Sequence, residues 1–303
     1  MAVFGYFIHT KSSCLMVSSI QKQQAEKFLT YHHNEEILVL LNSWDIASSK
    51  IIESSGFKAV ATTSMGVAAS LGYPDCQIIS LSEMIKVTTG IVHAVQVPVT
   101  VDIEAGYGNN LREIIDSVGQ IIRTGIAGIN IEDSLDLSPV LIDEMEFCER
   151  IAAIRALADS MGFHLVINAR TDSFYTSKSS PREKLAESIK RGNKYHEAGA
   201  DCIFVQPVWD KETIATLVKE INAPINILAN PSIGSAMPPS VAELQDLGVA
   251  RLSLGSSLMK ATLAIIKKVA DELSEYGSYG LLMDTLSPMT ETALAYKMAT
   301  RDH

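Results

Sequence analysis

Four times in this chain a helical stretch ends at a glycine and gives way, within a few residues, to a short apolar strand. The stretches are "IIESSGFKAVAT", "IIRTGIAGINIED", "YHEAGADCIFVQP" and "LQDLGVARLSLGS". Gly56, Gly125, Gly199 and Gly248 fall at the helix ends, where a left-handed backbone costs glycine little. Between these units lie "ILVLLNSWD", "VPVTVDIEAG", "FHLVINARTD" and "APINILAN". The expected strands are therefore Ile37–Leu41, Ala59–Thr62, Val99–Asp102, Gly128–Ile131, Leu165–Ala169, Cys202–Val205, Pro224–Ile227 and Arg251–Leu254. Strands with continuous apolar runs are buried on both faces, which implies a parallel sheet. Eight βα units in about 250 residues make a (β/α)8 TIM barrel of the α/β class. The alternative is an open doubly wound sheet; no G-x-G-x-x-G follows the first strand, which counts against its dinucleotide-binding form.

A single barrel domain, 20–303, is expected, with C-terminal helices from about residue 256. Ser256–Tyr276 reads as one long helix and Leu286–Thr300 as a second, after "GSYGLLMDTLSP". Such helices often pack on a neighbouring subunit, so a homo-oligomer, dimer or tetramer, is expected. Residues 1–19, "MAVFGYFIHTKSSCLMVSS", read as a poorly ordered extension that lacks the basic start of a signal peptide. Met16 is a candidate natural start, which N-terminal mass spectrometry of the native protein would check.

The chain of 303 residues is 47% hydrophobic and 20% charged, enough for a large core. A net charge of −10 with no Lys/Arg run excludes nucleic acid and anionic membrane as expected partners. No apolar run reaches the length of a membrane span. Cys14, Cys76, Cys148 and Cys202 show no C-x-x-C spacing and read as reduced thiols of a cytoplasmic protein. An acidic protein can still bind an acidic substrate where a metal and a local arginine reverse the field.

Barrel active sites lie at the carboxyl ends of the strands. Those ends carry Asn42 to Asp45, Thr62 to Gly66, Asp102, Glu104, Glu132, Asp133, Asn168, Arg170, Asp172, Gln206, Asn230 and Ser256. Asp102 and Glu104 stand one residue apart at the end of a strand, where residues i and i+2 point the same way. They would repel each other unless a proton or a cation intervenes. Asp102, Glu104 and Glu132 come from neighbouring strands and suit a hard ion such as Mg²⁺, which takes oxygen ligands; capping of helices or pairing with Arg170 is the plainer alternative. Arg170 can grip a carboxylate in two-point fashion, or pair with Glu132 or Asp172, or both. "TTSMG" before a helix offers backbone N–H groups to an anion, or is an ordinary helix cap. Arg251, at the start of a strand, reads as structural. No histidine falls at an expected strand end.

As a set, these residues resemble the isocitrate lyase / phosphoenolpyruvate mutase superfamily. The resemblance is carried by "NSWDIASSKIIESSGFKAVATTSMGVAASLGYPD", "VPVTVDIEAGYGNN", "GIAGINIEDS", "LVINARTDSF" and "AGADCIFVQP", in family order. It implies a (β/α)8 barrel, commonly tetrameric, with a C-terminal helix exchanged between subunits. It also implies Mg²⁺ as cofactor and a small anionic carboxylate or phosphonate substrate. The expected activity is that of a lyase or phosphonomutase-like enzyme acting on a C–C or P–C bond of a 2-oxo or enol carboxylate through an enolate. By the same resemblance Asp102 would hold the metal, Glu104 would stand for the second aspartate of a D-x-D pair, and Glu132 would be an outer ligand. Asp75 would lie near the metal's waters. Arg170 would contact substrate, and Thr63, Ser64 and Met65 would bind its carboxylate or phosphonate through the backbone. Gln206 is a further expected substrate contact. Tyr107, Tyr175, Gln206 and Asn230 are candidate proton carriers near strand ends. The family's loop motifs after "ED", K-[KR]-C-G-H in the lyases and K-x-x-x-K-x-N in the mutase, are both absent. "EDSLDLSPVLIDEMEF" has no lysine, cysteine, histidine or asparagine between Asp133 and Asp143. That leaves a binding protein with a relic site, holding Mg²⁺ and a small acid without turnover, as the alternative function.

Overall fold

The computed structural model describes residues 17–134, 140–175, 179–231 and 237–286. Most of the expected N-terminal extension, and the expected helix Leu286–Thr300 beyond its first residue, lie outside these. Nine strand segments, all parallel, form one sheet. They are β1 Leu38–Leu40, β2 Asn42–Ser43, β3 Val60–Thr62, β4 Val99–Asp102, β5 Gly128–Glu132, β6 Val166–Thr171, β7 Cys202–Val205, β8 Ile225–Leu228 and β9 Arg251–Ser253. The order is β1-β9-β8-β7-β6-β5-β4-β3-β2. Only Leu41 separates β1 from β2, so both edges of the sheet belong to one strand and the sheet curls into a (β/α)8 barrel. Asn42 staples the seam: its Nδ2 donates to the Thr62 carbonyl (2.8 Å), and its Oδ1 accepts from the N–H groups of Leu254 (3.0 Å) and Gly255 (2.9 Å).

The helices are α1 Ser19–Tyr31, α2 Ile46–Ser54, α3 Ser64–Ser70, α4 Leu81–Ala94, α5 Leu111–Ile122, α6 Glu144–Ser160, α7 Pro181–Glu197, α8 Lys211–Glu220, α9 Val241–Asp246, α10 Ser257–Tyr276 and α11 Gly280–Thr285. Gly56, Gly125, Gly199 and Gly248 have φ of +88°, +100°, +115° and +81°, as their positions after helices require. Ser80, Ser180 and Ser240 open α4, α7 and α9 with reciprocal capping boxes to Glu83, Glu183 and Glu243. Each such cap is worth about 1 kcal/mol, and each fixes the far end of a loop that leaves the barrel mouth. The stretch "GSYGLLMDTLSP", to which the sequence assigned no element, contains α11. Glu272 accepts from the backbone N–H groups of Gly280 and Leu281 at 2.8 Å each and so ties its start to α10.

Helix α1 lies against the barrel at the end opposite the mouth. Phe28 is fully buried there, beneath Gly128. A Cβ at residue 128 would meet Phe28 Cε1 at 2.9 Å and the Val166 carbonyl oxygen at 2.8 Å, so a bare backbone at this point lets the helix seat. One turn on, His32 is buried, with Nδ1 2.9 Å from the Phe28 carbonyl and Nε2 without a partner. Burial, with Arg251 adding to it, pushes the imidazole pKa down from 6.5 to about 3. The unfolded chain therefore takes up this proton first, and stability falls as pH drops from 6.5 towards 3. Between pH 7 and pH 5 the loss from this residue is expected to be about 2 kcal/mol. Urea unfolding at the two pH values should show it, and His32→Leu should remove that part of the difference.

Candidate active site

The carboxyl ends of the strands surround a cavity of about 130 Å³. Its walls include Thr63, Ser64, Met65, Asp75, Asp102, Arg170 and Gln206, so the structure gathers these expected site residues in one place. Tyr175 and Asn230 line it too, while Glu104, Glu132 and Tyr107 are not part of its lining. A larger cavity of about 550 Å³ lies beside α1, among Gln24, His93 and Arg123, and carries no carboxylate.

Asp102 ends β4, and its backbone N–H donates to the Thr62 hydroxyl at 2.9 Å. Its Oδ2 accepts from the Ser64 N–H (3.2 Å) at the start of α3, and its Oδ1 from the Glu104 N–H (3.4 Å). Thr63 is the N-cap of α3 but makes no side-chain cap bond. Ser64 also hydrogen-bonds Asp75 through its side chain. Glu104 does not continue the strand. It turns left-handed at φ +51°, so its relation to Asp102 is that of a turn, not of alternate strand positions. Cys76, Gln77 and Tyr107 are left-handed as well, at φ +76°, +58° and +56°. Four such non-glycine residues in two loops store strain of roughly 1–3 kcal/mol each. The loops hold each other in place: the Tyr107 N–H donates to Gln77 Oε1 at 2.8 Å, and the Tyr107 hydroxyl donates to Glu104 Oε1 at 3.4 Å.

Burial pushes the Glu104 carboxyl up to about 8, and the charges of Asp102 and Asp75 add to the shift. Burial and then Asp102 raise Asp75 in the same way. Asp75 Oδ1 is buried with no hydrogen-bond partner. Such a group costs free energy until a proton, a water or a cation meets it. The donor set is oxygen only, which fits Mg²⁺ rather than a softer metal. Among the described residues, no three acidic, histidine or cysteine side chains already close around one point, so an ion would have to draw its ligands together.

Arg170 pairs with Asp172 through Nε to Oδ1 (2.7 Å) and Nη2 to Oδ2 (2.8 Å), and with Glu132 Oε2 through Nη1 (2.5 Å). Glu132 and Arg170 are register partners on β5 and β6. Burial works against the guanidinium charge, but the two carboxylates outweigh it and raise its pKa. Burial raises the Glu132 carboxyl, with Arg170 opposing. A guanidinium has five N–H groups; these three contacts leave two for a substrate at the cavity wall. Gln206 Nε2 and the Ser134 hydroxyl hold Asp172 from its other sides, at 3.2 Å and 2.6 Å.

Behind β5 the chain passes through a pinned neck. Ser134 and Leu141 form an antiparallel bridge, and the Ile142 N–H donates to the Asp133 carbonyl at 2.7 Å. The Asp133 carboxylate accepts from Tyr195 (2.7 Å), Arg191 (3.2 Å) and the Asp172 N–H (2.9 Å). The segment that lacks the family's loop motifs leaves and returns through this neck. Residues 135–139 are outside the described ones.

Asn130 and Ser253 also line the cavity and were not singled out in the sequence. Asn130 stands between Ile129 and Ile131. A lone polar residue at an alternate position of an apolar strand is the signal that could have found it.

Carboxylates and an arginine gathered at the carboxyl ends of a parallel barrel stand where a barrel enzyme keeps its active site. The family model of phosphoenolpyruvate phosphomutase matches residues 28–274. An uncharacterized protein of Mycobacterium tuberculosis is 34% identical over 248 residues, 82% of this chain and 89% of that one. A 2-methylisocitrate lyase of Halalkalibacterium halodurans is 30% identical over 217 residues, 69% of this chain and 68% of that one. A crystal structure from Burkholderia cenocepacia, provisionally described as a lyase/mutase, matches with a TM-score of 0.84 at 27% identity, covering 93% of this chain and 99% of that one. The chain belongs to the phosphoenolpyruvate mutase / isocitrate lyase superfamily.

Proposed function

We propose that the protein is a Mg²⁺-dependent lyase or phosphonomutase-like enzyme that makes or breaks a C–C or P–C bond in a small 2-oxo or enol carboxylate. The observation that carries this reading is the trio Asp75, Asp102 and Glu104, in which Asp75 and Glu104 are raised by burial and by neighbouring carboxylates, beside a cavity that Arg170 enters. Asp102 and Glu104 would hold the ion, with Asp75 and Glu132 around it. A bound Mg²⁺ supplies positive charge that offsets the charge developing on substrate oxygens. The remaining N–H groups of Arg170 grip a substrate carboxylate, and of the Thr63–Ser64–Met65 backbone it is the Met65 N–H that is left to receive a carboxylate or phosphonate, since those of Thr63 and Ser64 donate to the Ser43 carbonyl and to Asp102. A cavity of 130 Å³ suits a small acid. The exposed apolar side chains of α10, Leu263, Ile265 and Ile266, support a homo-oligomer. Among the described residues no helix is long and apolar enough to cross a membrane.

The test is release of pyruvate, glyoxylate or CO₂ from a panel of 2-oxo, hydroxydicarboxylic and phosphono acids, with Mg²⁺ and with chelator. Turnover of at least one that stops in chelator is expected; none on any would defeat the enzymatic reading. Binding of Mg²⁺ and a small acid without turnover is the second reading. It draws on the engagement of Arg170 by two carboxylates and on the missing acid/base loop. Tight Mg²⁺–oxalate binding beside a silent panel would select it.

A further inference from the structure

Arg251 is a fully buried cation inside the barrel. Its Nη2 donates to Asn130 Oδ1 at 3.0 Å, and its Nε and Nη1 have no protein partner. A guanidinium can only donate. The atom of the Asn130 amide that faces it is therefore the oxygen, and no rotation of the amide can place NH₂ there without setting donor against donor. Asn168, also fully buried, donates its Nδ2 to the same oxygen at 2.8 Å. Both lone pairs of Asn130 Oδ1 are then used. These two bonds are all that the Asn130 side chain makes among the described residues, and the residue lines the cavity at the mouth. Asn130 is the register partner of Asp102, so it stands beside the carboxylate trio on the inner wall.

We infer that Asn130 is a substrate-binding residue that presents its amide N–H groups upward from the cavity floor, and that Arg251 is the positioning residue that holds the amide in this donor sense. The pocket then takes a substrate whose innermost group is an acceptor oxygen, a carboxylate or a carbonyl. It discriminates against one that brings an ammonium to the floor. This rests on the reading of the cavity as a site for a small 2-oxo or enol acid, and it adds the polarity of the floor to that reading. Arg251 begins its strand at the end away from the mouth, yet its influence reaches the substrate through one shared oxygen.

The probe is oxalate, titrated by calorimetry with Mg²⁺ present, and with Mg²⁺ titrated alone as a second arm. Asn130→Asp keeps the shape of the side chain, removes the donor and puts a carboxylate against Arg251. It is expected to weaken oxalate binding about 30-fold while the thermal midpoint holds or rises. Arg251→Met leaves the amide held by Asn168 alone, whose own amide can turn with it because its Oδ1 has no partner, and is expected to weaken oxalate about tenfold. Arg251→Lys, still a pure donor, should recover most of that loss. In the double variant Asn130→Asp/Arg251→Met the loss should not exceed that of Asn130→Asp, since the two residues act through one group. Should Arg251→Met fail to fold, Asn130→Asp decides alone. Oxalate bound as tightly by Asn130→Asp as by the unaltered protein overturns the inference and leaves the site reading standing. An unaltered protein that binds Mg²⁺ but no oxalate overturns both.

Discussion

Asp102→Ala is expected to lower Mg²⁺-dependent kcat/KM by about a thousandfold or more, equivalent to roughly 4 kcal/mol of transition-state stabilisation, without a loss of stability. Asp102 is the carboxylate that adds most, after burial, to the raised pKa of both Glu104 and Asp75. Removing it takes away a ligand and also a source of repulsion. Two weak contacts go with it, from the N–H groups of Ser64 at 3.2 Å and Glu104 at 3.4 Å. The relieved repulsion should offset them, so the thermal midpoint of the metal-free variant should equal or exceed that of the unaltered protein. Sites that gather like charges for function commonly trade stability in this way. Initial rates across a Mg²⁺ titration, beside calorimetric melting in chelator, measure both halves. A variant that keeps its Mg²⁺-dependent rate would remove Asp102 from the metal site.

Arg170→Met should act on both function and stability. The guanidinium is the shared counter-charge of Glu132 and Asp172, whose side chains are 13% and 6% exposed. Breaking a buried pair from one side leaves an uncompensated charge, a loss of about 3–5 kcal/mol. Substrate affinity should fall at least tenfold as the two-point grip goes. The stability loss has a direction in pH. Orphaned carboxylates become less costly once protonated, so the gap between variant and unaltered protein should narrow between pH 7 and pH 4. Arg170→Lys keeps the charge but not the fork; it should recover much of the stability and little of the affinity. Denaturant titrations at several pH values and oxalate calorimetry separate the two effects.

The barrel was legible in the sequence because its strands are short apolar runs between punctuating glycines. Val99–Asp102 and Cys202–Val205 have the expected boundaries at both ends. Strand β6 runs on to Thr171, two residues past the expected end at Ala169. The apolar pattern stops at the polar Arg170, but the ladder does not, because Glu132 and Arg170 pair across it. Helix α11 was missed because "GLLMDT" is too short to show a helical period. The carboxylates of the mouth were visible as strand-end residues. The left-handed turn at Glu104 was not, since nothing in the one-letter pattern marks a non-glycine residue for positive φ. Asn130 was marked only by being a lone polar residue between two isoleucines, short of the strand end where site residues were sought, and the reach of Arg251 along the barrel is a matter of side-chain length that periodicity does not encode.

The neck formed by Ser134 and Leu141 makes the loop region a socket. Its rim is tied to the barrel through Asp133, Arg191 and Tyr195, none of which belongs to the loop itself. Because the entropy of closing a loop grows only with the logarithm of its length, each doubling costs about 0.6 kcal/mol. Segments of different length and chemistry can therefore be exchanged across this rim at little cost to the barrel. The floor and the carboxylates below the rim keep their places through contacts of their own, such as the Ser64 N–H to Asp102 and Asn168 to Asn130.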